Sequence, residues 1–237
     1  MKRKIIVTGG SGRFGSVLKK ICKNKNLLYP TKNQLNILKL NSIKNYFKIK
    51  KPKIVIHMAG LSRPMEIHEK NINKSIDLNI IGTANIVKIC SNLNIKLVYF
   101  STPLVYPCKK GNYSENSPLL PINNYAWSKL GGEAAVQMYK NSLVLRVCMT
   151  EKPFIHKKAF ANVKSSFIYH EDLAKVLFKI INKKGIINVG GKTQTIYNFA
   201  RRDNPGVKKL YLKNKSIIKF PRNPSINVKK FKKLINF

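Results

Sequence analysis

Apolar runs of strand length alternate with amphipathic stretches through the first 147 residues. Lys4–Thr8 (KIIVT) is an unbroken apolar strand, and Phe14–Lys23 puts Val17, Leu18 and Ile21 on one side of a helix. Leu27–Tyr29 forms a short second strand. Ser42–Ile49 reads as a helix ending before Pro52, and Lys53–Met58 (KIVIHM) as a third strand. Asn71–Leu93 is a long helix in which Ile76, Ile80, Ala84, Val87 and Cys90 recur near the 3.6-residue period. A fourth strand at Lys96–Ser101 (KLVYFS), a helix over Tyr125–Tyr139 and a fifth strand at Leu143–Val147 complete the series. Past Val147 the pattern loosens, with short strands at Phe167–Tyr169 and Ile186–Val189 around a helix at His170–Ile181.

Strands that are apolar throughout belong in a sheet buried on both faces. Their alternation with helices predicts a parallel sheet covered on each side, an α/β, doubly wound fold of Rossmann type. Residues 1–147 make that domain. Residues 148–237 make a small C-terminal lobe, with room for some of its elements to join the main sheet. Hydrophobic residues are 43% of 237, enough for a sizeable core and too many for a disordered chain. The first apolar run stops at Gly9, too soon for a signal peptide. No run nears the roughly 20 apolar residues of a membrane helix, so a soluble, cytoplasmic protein is expected. Cys22, Cys90, Cys108 and Cys148 contain no C-x-x-C pair, and His156 and His170 lack neighbours at ligand spacing. No metal is expected.

Charge changes the picture. Lys and Arg number 46 against 9 acidic residues, a formal net charge of +37. Residues 1–65 carry 16 basic and no acidic side chains, residues 66–172 carry 13 and 8, and residues 173–237 carry 17 and 1. Such a field attracts nucleic acid, anionic membranes or phosphorylated small molecules. Abundant Ile, Asn and Lys, however, mark a compositional bias. With no zinc finger or RNA-binding aromatic motif, neither nucleic acid nor membrane is an expected partner.

Candidate chemistry begins at Thr8-Gly9-Gly10-Ser11-Gly12-Arg13-Phe14-Gly15, a G-x-x-G-x-x-G spacing between the first strand and first helix. Gly9 permits the tight exit turn. Gly12 lets the backbone approach a pyrophosphate at the helix N-terminus, and Gly15 allows helix and strand to pack closely. The segment reads as a dinucleotide-binding loop. An acidic residue after the second strand would select NAD through its ribose 2′-hydroxyl. Tyr29-Pro30-Thr31-Lys32-Asn33 has none, and Arg13 and Lys32 are available for a 2′-phosphate, so NADP is favoured over NAD.

Tyr125-Ala-Trp-Ser-Lys129 opens a helix, and its four-residue step sets phenol and ammonium on one face. The ammonium favours the phenolate, lowering a pKa that starts at about 10. Tyr125 would then exchange a proton while hydride moves to or from a nicotinamide. Ser101-Thr102 closes the fourth strand, at the sheet edge where ligands bind, and offers a hydroxyl to the substrate oxygen. His57 and Arg146, at the ends of buried strands, read as structural.

These segments resemble the extended short-chain dehydrogenases/reductases, the NAD-dependent epimerase/dehydratase family acting on nucleotide sugars. The resemblance covers nearly the whole chain. Its marks are the TGGSGRFG loop, His57-Met58-Ala59-Gly60, Asn79-Ile-Ile-Gly82-Thr83, Ser101-Thr-Pro-Leu-Val-Tyr106 and Tyr125-x-x-x-Lys129 followed by Glu133. Leu145-Arg146, Phe167-Ile-Tyr-His-Glu-Asp172-Leu-Ala and Ile187-Asn-Val-Gly-Gly191 add to them. The resemblance implies Thr102, Tyr125 and Lys129 as the catalytic set. It implies a cofactor held by Gly9, Ser11, Gly12, Arg13, Phe14 and Gly15, by Lys32, Asn36 and Ile37, by Met58, Ala59 and Gly60, and by Tyr125 and Lys129. Leu35-Asn36-Ile37 and the segment from Arg222 through Ser225 to Phe231 resemble the dTDP-4-dehydrorhamnose reductase branch, while other marks are shared with the epimerases. The family also implies a homodimer formed through the helices Asn71–Leu93 and Tyr125–Tyr139.

Two departures shape the expected reaction. The family's 4,6-dehydratases carry Asp-Glu directly after the catalytic Thr to eliminate water. Pro103-Leu104 stand there and transfer no proton, so a dehydratase is not expected. The excursion that builds the family's substrate pocket is cut to about 20 residues between Val147 and Phe167, leaving an abbreviated lobe. The leading reading is an NAD(P)-dependent epimerase or reductase of a nucleotide-linked 4-keto sugar, in surface-polysaccharide synthesis. The other is a non-catalytic dinucleotide-binding regulator or RNA binder, which the short lobe and basic ends favour.

Overall fold

The computed structural model describes residues 3–23, 25–212 and 220–235. Residues 213–219 and 236–237 of the expected second lobe lie outside the described residues. Six strands form the central sheet: β1 (Ile5–Thr8), β2 (Leu27–Leu28), β3 (Ile54–His57), β4 (Lys96–Ser101), β5 (Ser142–Val147) and β6 (Gly185–Val189). Their order is β2-β1-β3-β4-β5-β6, parallel at every junction. The expected doubly wound α/β sheet is present.

Six helices matter here: α1 (Arg13–Ile21), α2 (Leu40–Lys50), α3 (Gly82–Asn92), α4 (Asn124–Gln137), α5 (His170–Ile180) and α6 (Lys229–Ile235). Successive strand side chains point to opposite faces. Ile5, Val7, Ile54, Ile56, Val98, Phe100, Leu143 and Leu145 pack with Phe14, Leu18, Leu173, Leu177 and Phe231 of α1, α5 and α6. Ile6, Val55, Leu97, Tyr99 and Val144 pack with Ile43, Phe47, Ile86, Cys90 and Val136 of α2, α3 and α4. Each such burial contributes about 1.5–3 kcal/mol, and two covered faces explain why the strands read as unbroken apolar runs.

From β1 the chain goes to β2 on one side, then returns to β3 on the other. Strand order therefore reverses between β1 and β3, and a crevice opens there, outside the carboxyl ends of the strands. Residues 170–189 rejoin the main body: α5 packs on α1, and β6 pairs with β5. α6 also packs on the main sheet through Phe231, and the segments between are joined by short pairings. Met149–Thr150 pairs with Ile168–Tyr169, Lys158–Phe160 with Lys208–Leu210, and Lys164–Ser165 with Gln194–Thr195.

The helix expected over Asn71–Leu93 is interrupted. It comes as Ile72–Ser75, a π-helical turn at Ile76–Ile81, and then α3. Its buried side carries Ser75, Asn79, Thr83, Ile86 and Cys90, while Ile76 and Ile81 are exposed. Asn79 and Thr83 turn inward because they find polar partners there, which a hydropathy pattern does not register. Among the described residues, no helix is long and apolar enough to cross a membrane.

Candidate functional site

β1 ends at Thr8, directly opposite His57 at the end of β3. The Thr8 hydroxyl accepts from the amides of Met58 and Ala59 at 3.3 Å each and lies 2.7 Å from His57 Nδ1. With its lone pairs taken, that hydroxyl donates to Nδ1, so Nε2–H of His57 donates to Thr83 at 3.1 Å. Burial pulls the His57 pKa from 6.5 to about 3, helped by the Lys129 charge. His57 is thus a neutral structural ring, as expected.

Thr8 draws the glycine loop against the chain leaving β3. Gly9 has φ +73°, and a Cβ on it would stand 2.6 Å from the Ala59 nitrogen. A Cβ on Gly15 would stand 2.6 Å from the Gly10 carbonyl oxygen. Gly12 differs. The nearest atom to its Cβ would be Gly9 O at 3.1 Å, and it lines the open cleft at the N-terminus of α1. The fold itself requires the first two glycines, whereas Gly12 keeps space clear above the backbone.

Asn123 caps α4 by accepting from the Ala126 amide at 2.9 Å, which sets Tyr125 in the first turn and Lys129 one turn on. The Ser128 hydroxyl donates to the Tyr125 carbonyl at 2.8 Å and accepts from Asn79 Nδ2 at 2.8 Å. Asn79 also accepts from the Leu61 amide at 2.7 Å and donates to the Leu61 carbonyl at 2.9 Å. The π turn therefore clamps the loop after β3 to the helix that carries Tyr125; such turns are frequent at functional sites.

Lys129 is buried, with its ammonium 4.2 Å from the centre of the Tyr99 ring. Burial brings its pKa down to about 7, against the opposing pull of Glu133. Glu133 is fully buried and bound by the Arg146 guanidinium at 2.5 Å and the Ser101 hydroxyl at 2.6 Å. Arg146 donates to Tyr106 at 2.6 Å, and Tyr106 to Asn188 at 3.0 Å. This network ties α4, β4, β5 and β6 together beneath the cleft, so Arg146 is structural.

Burial raises the Tyr125 pKa above 10, while hydrogen bonding with Thr102 and the charges of Arg63 and Arg13 pull it back. The Tyr125–Lys129 spacing predicts a value lowered by the Lys129 charge. The value is instead raised, because burial dominates, and the charges that oppose burial are those of the arginines. Thr102 Oγ1 accepts from the Leu104 amide at 3.3 Å, capping a single 3-10 turn at Pro103–Val105.

A cleft of about 1040 Å³ brings most of the expected residues together. Gly9, Ser11, Gly12, Arg13, Phe14, Gly15, Met58, Ala59, Gly60, Thr102, Tyr125 and Lys129 all line it. Lys32, Asn36 and Ile37 do not. Lys32 is exposed, the Asn36 side chain accepts from the Leu38 amide at 3.0 Å, and the Ile37 carbonyl accepts from Asn85 at 3.0 Å. Arg13 does not join Lys32, because its guanidinium bonds Glu151 at 2.7 Å. The second lobe supplies the far wall with Val163, Phe167, Ile196 and Phe220.

Sequence reading missed Gly10, Arg63 and Glu151, and gave Asn79 no role. Glu151 did leave a signal, as one of 9 acidic residues among 46 basic ones. Gly10 left none: its Cβ would meet the Tyr29 ring at 2.5 Å, a contact set by the β1–β2 pairing.

The chain is 30% identical to methionine adenosyltransferase 2 subunit beta of Xenopus laevis over 155 residues, 61% of this chain and 46% of that protein. It is 29% identical to dTDP-D-glucose 4,6-dehydratase of Dictyostelium discoideum over 235 residues, 82% of this chain and 52% of that protein. The chain thus spans about half the length of the curated relatives it matches. Among solved structures, dTDP-4-dehydrorhamnose reductase from Bacillus anthracis, in complex with NADP, superposes with a TM-score of 0.86 at 21% identity, covering 98% of this chain and 92% of that one. Residues 3–153 match the family described as the RmlD substrate binding domain, and the chain belongs to that family.

Proposed function

We propose that the chain is an NAD(P)-dependent reductase of a nucleotide-linked 4-keto sugar, with C4 epimerisation through the same keto group as the nearest alternative. One observation carries the reading: a single cleft is lined by the glycine loop, Thr102, Tyr125 and Lys129. Membership of the RmlD family and likeness to a reductase solved with NADP support it.

The loop fits a dinucleotide. Gly12 keeps the N-terminus of α1 uncovered, where backbone amides and the helix dipole favour a pyrophosphate. Met58, Ala59 and Gly60 would flank it. Lys32, Asn36 and Ile37, off the cleft lining, would stand at the adenosine end, where Lys32 favours NADP.

When bound, the nicotinamide supplies the hydride. Tyr125 gives its phenolic proton to the substrate carbonyl oxygen, which becomes a hydroxyl. A pKa above 10 keeps that proton in place at neutral pH. Thr102 hydrogen-bonds the same oxygen. Lys129 orients the cofactor's ribose by donating from its ammonium. Pro103 and Leu104, which follow Thr102, offer no carboxyl group for eliminating water, so dehydration is not part of the proposal. A homodimer would cover the exposed Ile76, Ile81, Trp127 and Met138. Nucleotide sugar and NADPH as reactants point to the cytoplasm and to surface-polysaccharide synthesis.

The test follows NADPH oxidation with a panel of 4-keto sugar nucleotides, and isomer interconversion by NMR. A second reading, a non-catalytic subunit of another enzyme, is favoured by the relative named as an adenosyltransferase subunit. A protein that binds NADPH but turns over nothing in the panel would favour it.

A further inference from the structure

Three charged side chains from three segments converge on the cleft wall near Tyr125. Arg13 opens α1, Arg63 lies in the loop after β3, and Glu151 begins the second lobe. Glu151 takes Arg13 at 2.7 Å but stands 3.9 Å from Arg63, beyond hydrogen-bond range. Two guanidinium groups thus share one carboxylate, and Arg13 holds the short contact. Glu66, the other carboxylate on the lining, forms an ion pair with neither arginine. Among the described residues, no hydrogen bond reaches the Arg63 guanidinium.

Arg63 therefore presents a fork of N–H donors to the cleft with no hydrogen-bond acceptor among the described residues. Its side chain is 48% exposed, against 17% for Glu151, so a ligand can reach it. It is also close enough to Tyr125 for each charge to act on the other. A guanidinium fork matches phosphate and carboxylate oxygens, which accept two parallel bonds from it. Glu151, by tying Arg13 to the second lobe, closes the alternative in which Arg13 plays that part.

We infer that Arg63 recognises an anionic group of the substrate, a nucleotide phosphate or a carboxylate on the sugar, and so determines which sugar nucleotides are accepted. The inference rests on the nucleotide-sugar reading above. Calorimetric titration of the full chain loaded with NADPH tests it, with UDP-glucose, dTDP-glucose and UDP-glucuronic acid as probes. Arg63→Gln removes the guanidinium fork and its charge and leaves a shorter, neutral polar side chain. It should weaken at least one probe by about ten- to hundredfold, the range for a charge-assisted hydrogen bond. Equal losses for all three assign the phosphate, and a loss confined to UDP-glucuronic acid assigns the sugar carboxylate. Matching NADPH affinity in the two proteins shows that the variant is folded. Unchanged affinity for every probe that the wild type binds overturns the inference and leaves the reading intact. A wild type that binds NADPH but none of the probes overturns the reading itself, and the inference with it.

Discussion

The two walls of the cleft are built by different means. The glycine-loop wall is local and backbone-dense. Gly9 meets the Ala59 backbone, Gly15 meets Gly10, and Thr8 bonds two amides of the chain leaving β3. The second-lobe wall is assembled from segments far apart in sequence, through pairings two or three residues long and through single side chains. Ser225 accepts from the Asn112 amide at 3.0 Å, and Asn223 donates to the Lys110 carbonyl at 2.9 Å. A wall with no room for a Cβ tolerates little change. A wall of polar clips can be remodelled piece by piece, as the substrate side of the cleft would need under the proposed function.

Tyr125 stands where the walls meet, and its removal should have the largest effect. Tyr125→Phe keeps the ring and loses the proton. Turnover should fall by about two to four orders of magnitude while NADPH affinity and unfolding midpoint stay close to wild type. Undiminished turnover would place the proton donor elsewhere.

Acid should separate the walls next. His57 is held neutral in the first wall with a pKa of about 3 instead of 6.5. The unfolded chain binds that proton first, so stability is complete above 6.5 and is lost as pH falls toward 3, by up to about 5 kcal/mol. Hydrogen exchange should show the amides of Met58 and Ala59 losing protection over this window. His57→Gln cannot titrate, and its unfolding free energy should change less with pH over the same window. A slope as steep as wild type would mean that other groups, such as the buried His68 and His170, carry the effect.

Within the first wall, two glycines should fail in opposite ways. Gly9→Ala places a Cβ at positive φ against backbone, and should cost about 2–4 kcal/mol in urea unfolding. Gly12→Ala meets only one tight protein contact and should change stability by about 0.5 kcal/mol or less. Its NADPH affinity should nevertheless drop at least about tenfold, because the methyl group occupies the space kept for the pyrophosphate. Identical behaviour of the two variants would remove the distinction between a glycine needed by the fold and one needed by a ligand.

The smallest effect on the function of the cleft belongs to the second wall. Ser225→Ala leaves the Asn112 amide without its acceptor and should cost about 1–2 kcal/mol, with NADPH affinity unchanged within about twofold. A loss of NADPH affinity would show that the walls are coupled.

The legible parts of this protein are those in which contiguous residues are sufficient. Unbroken apolar runs marked β1, β3, β4 and β5, because covering both faces of a sheet leaves no polar alternation. The glycine spacing marked the loop, and the four-residue step of Tyr125 and Lys129 set both on one helical face. Tertiary structure alone decided the rest. It placed Asn79 inward on a π turn, since its partners Leu61 and Ser128 lie 18 and 49 positions away. It separated Arg13 from Lys32 and gave Arg13 to Glu151, 138 positions on. It also set the balance at Tyr125, where burial outweighs every favourable charge. Periodicity and spacing are properties of neighbours along the chain. Ion pairs, burial and pKa depend on which distant segments the strand order brings to one end of the sheet, and that order is fixed only when the whole sheet has formed.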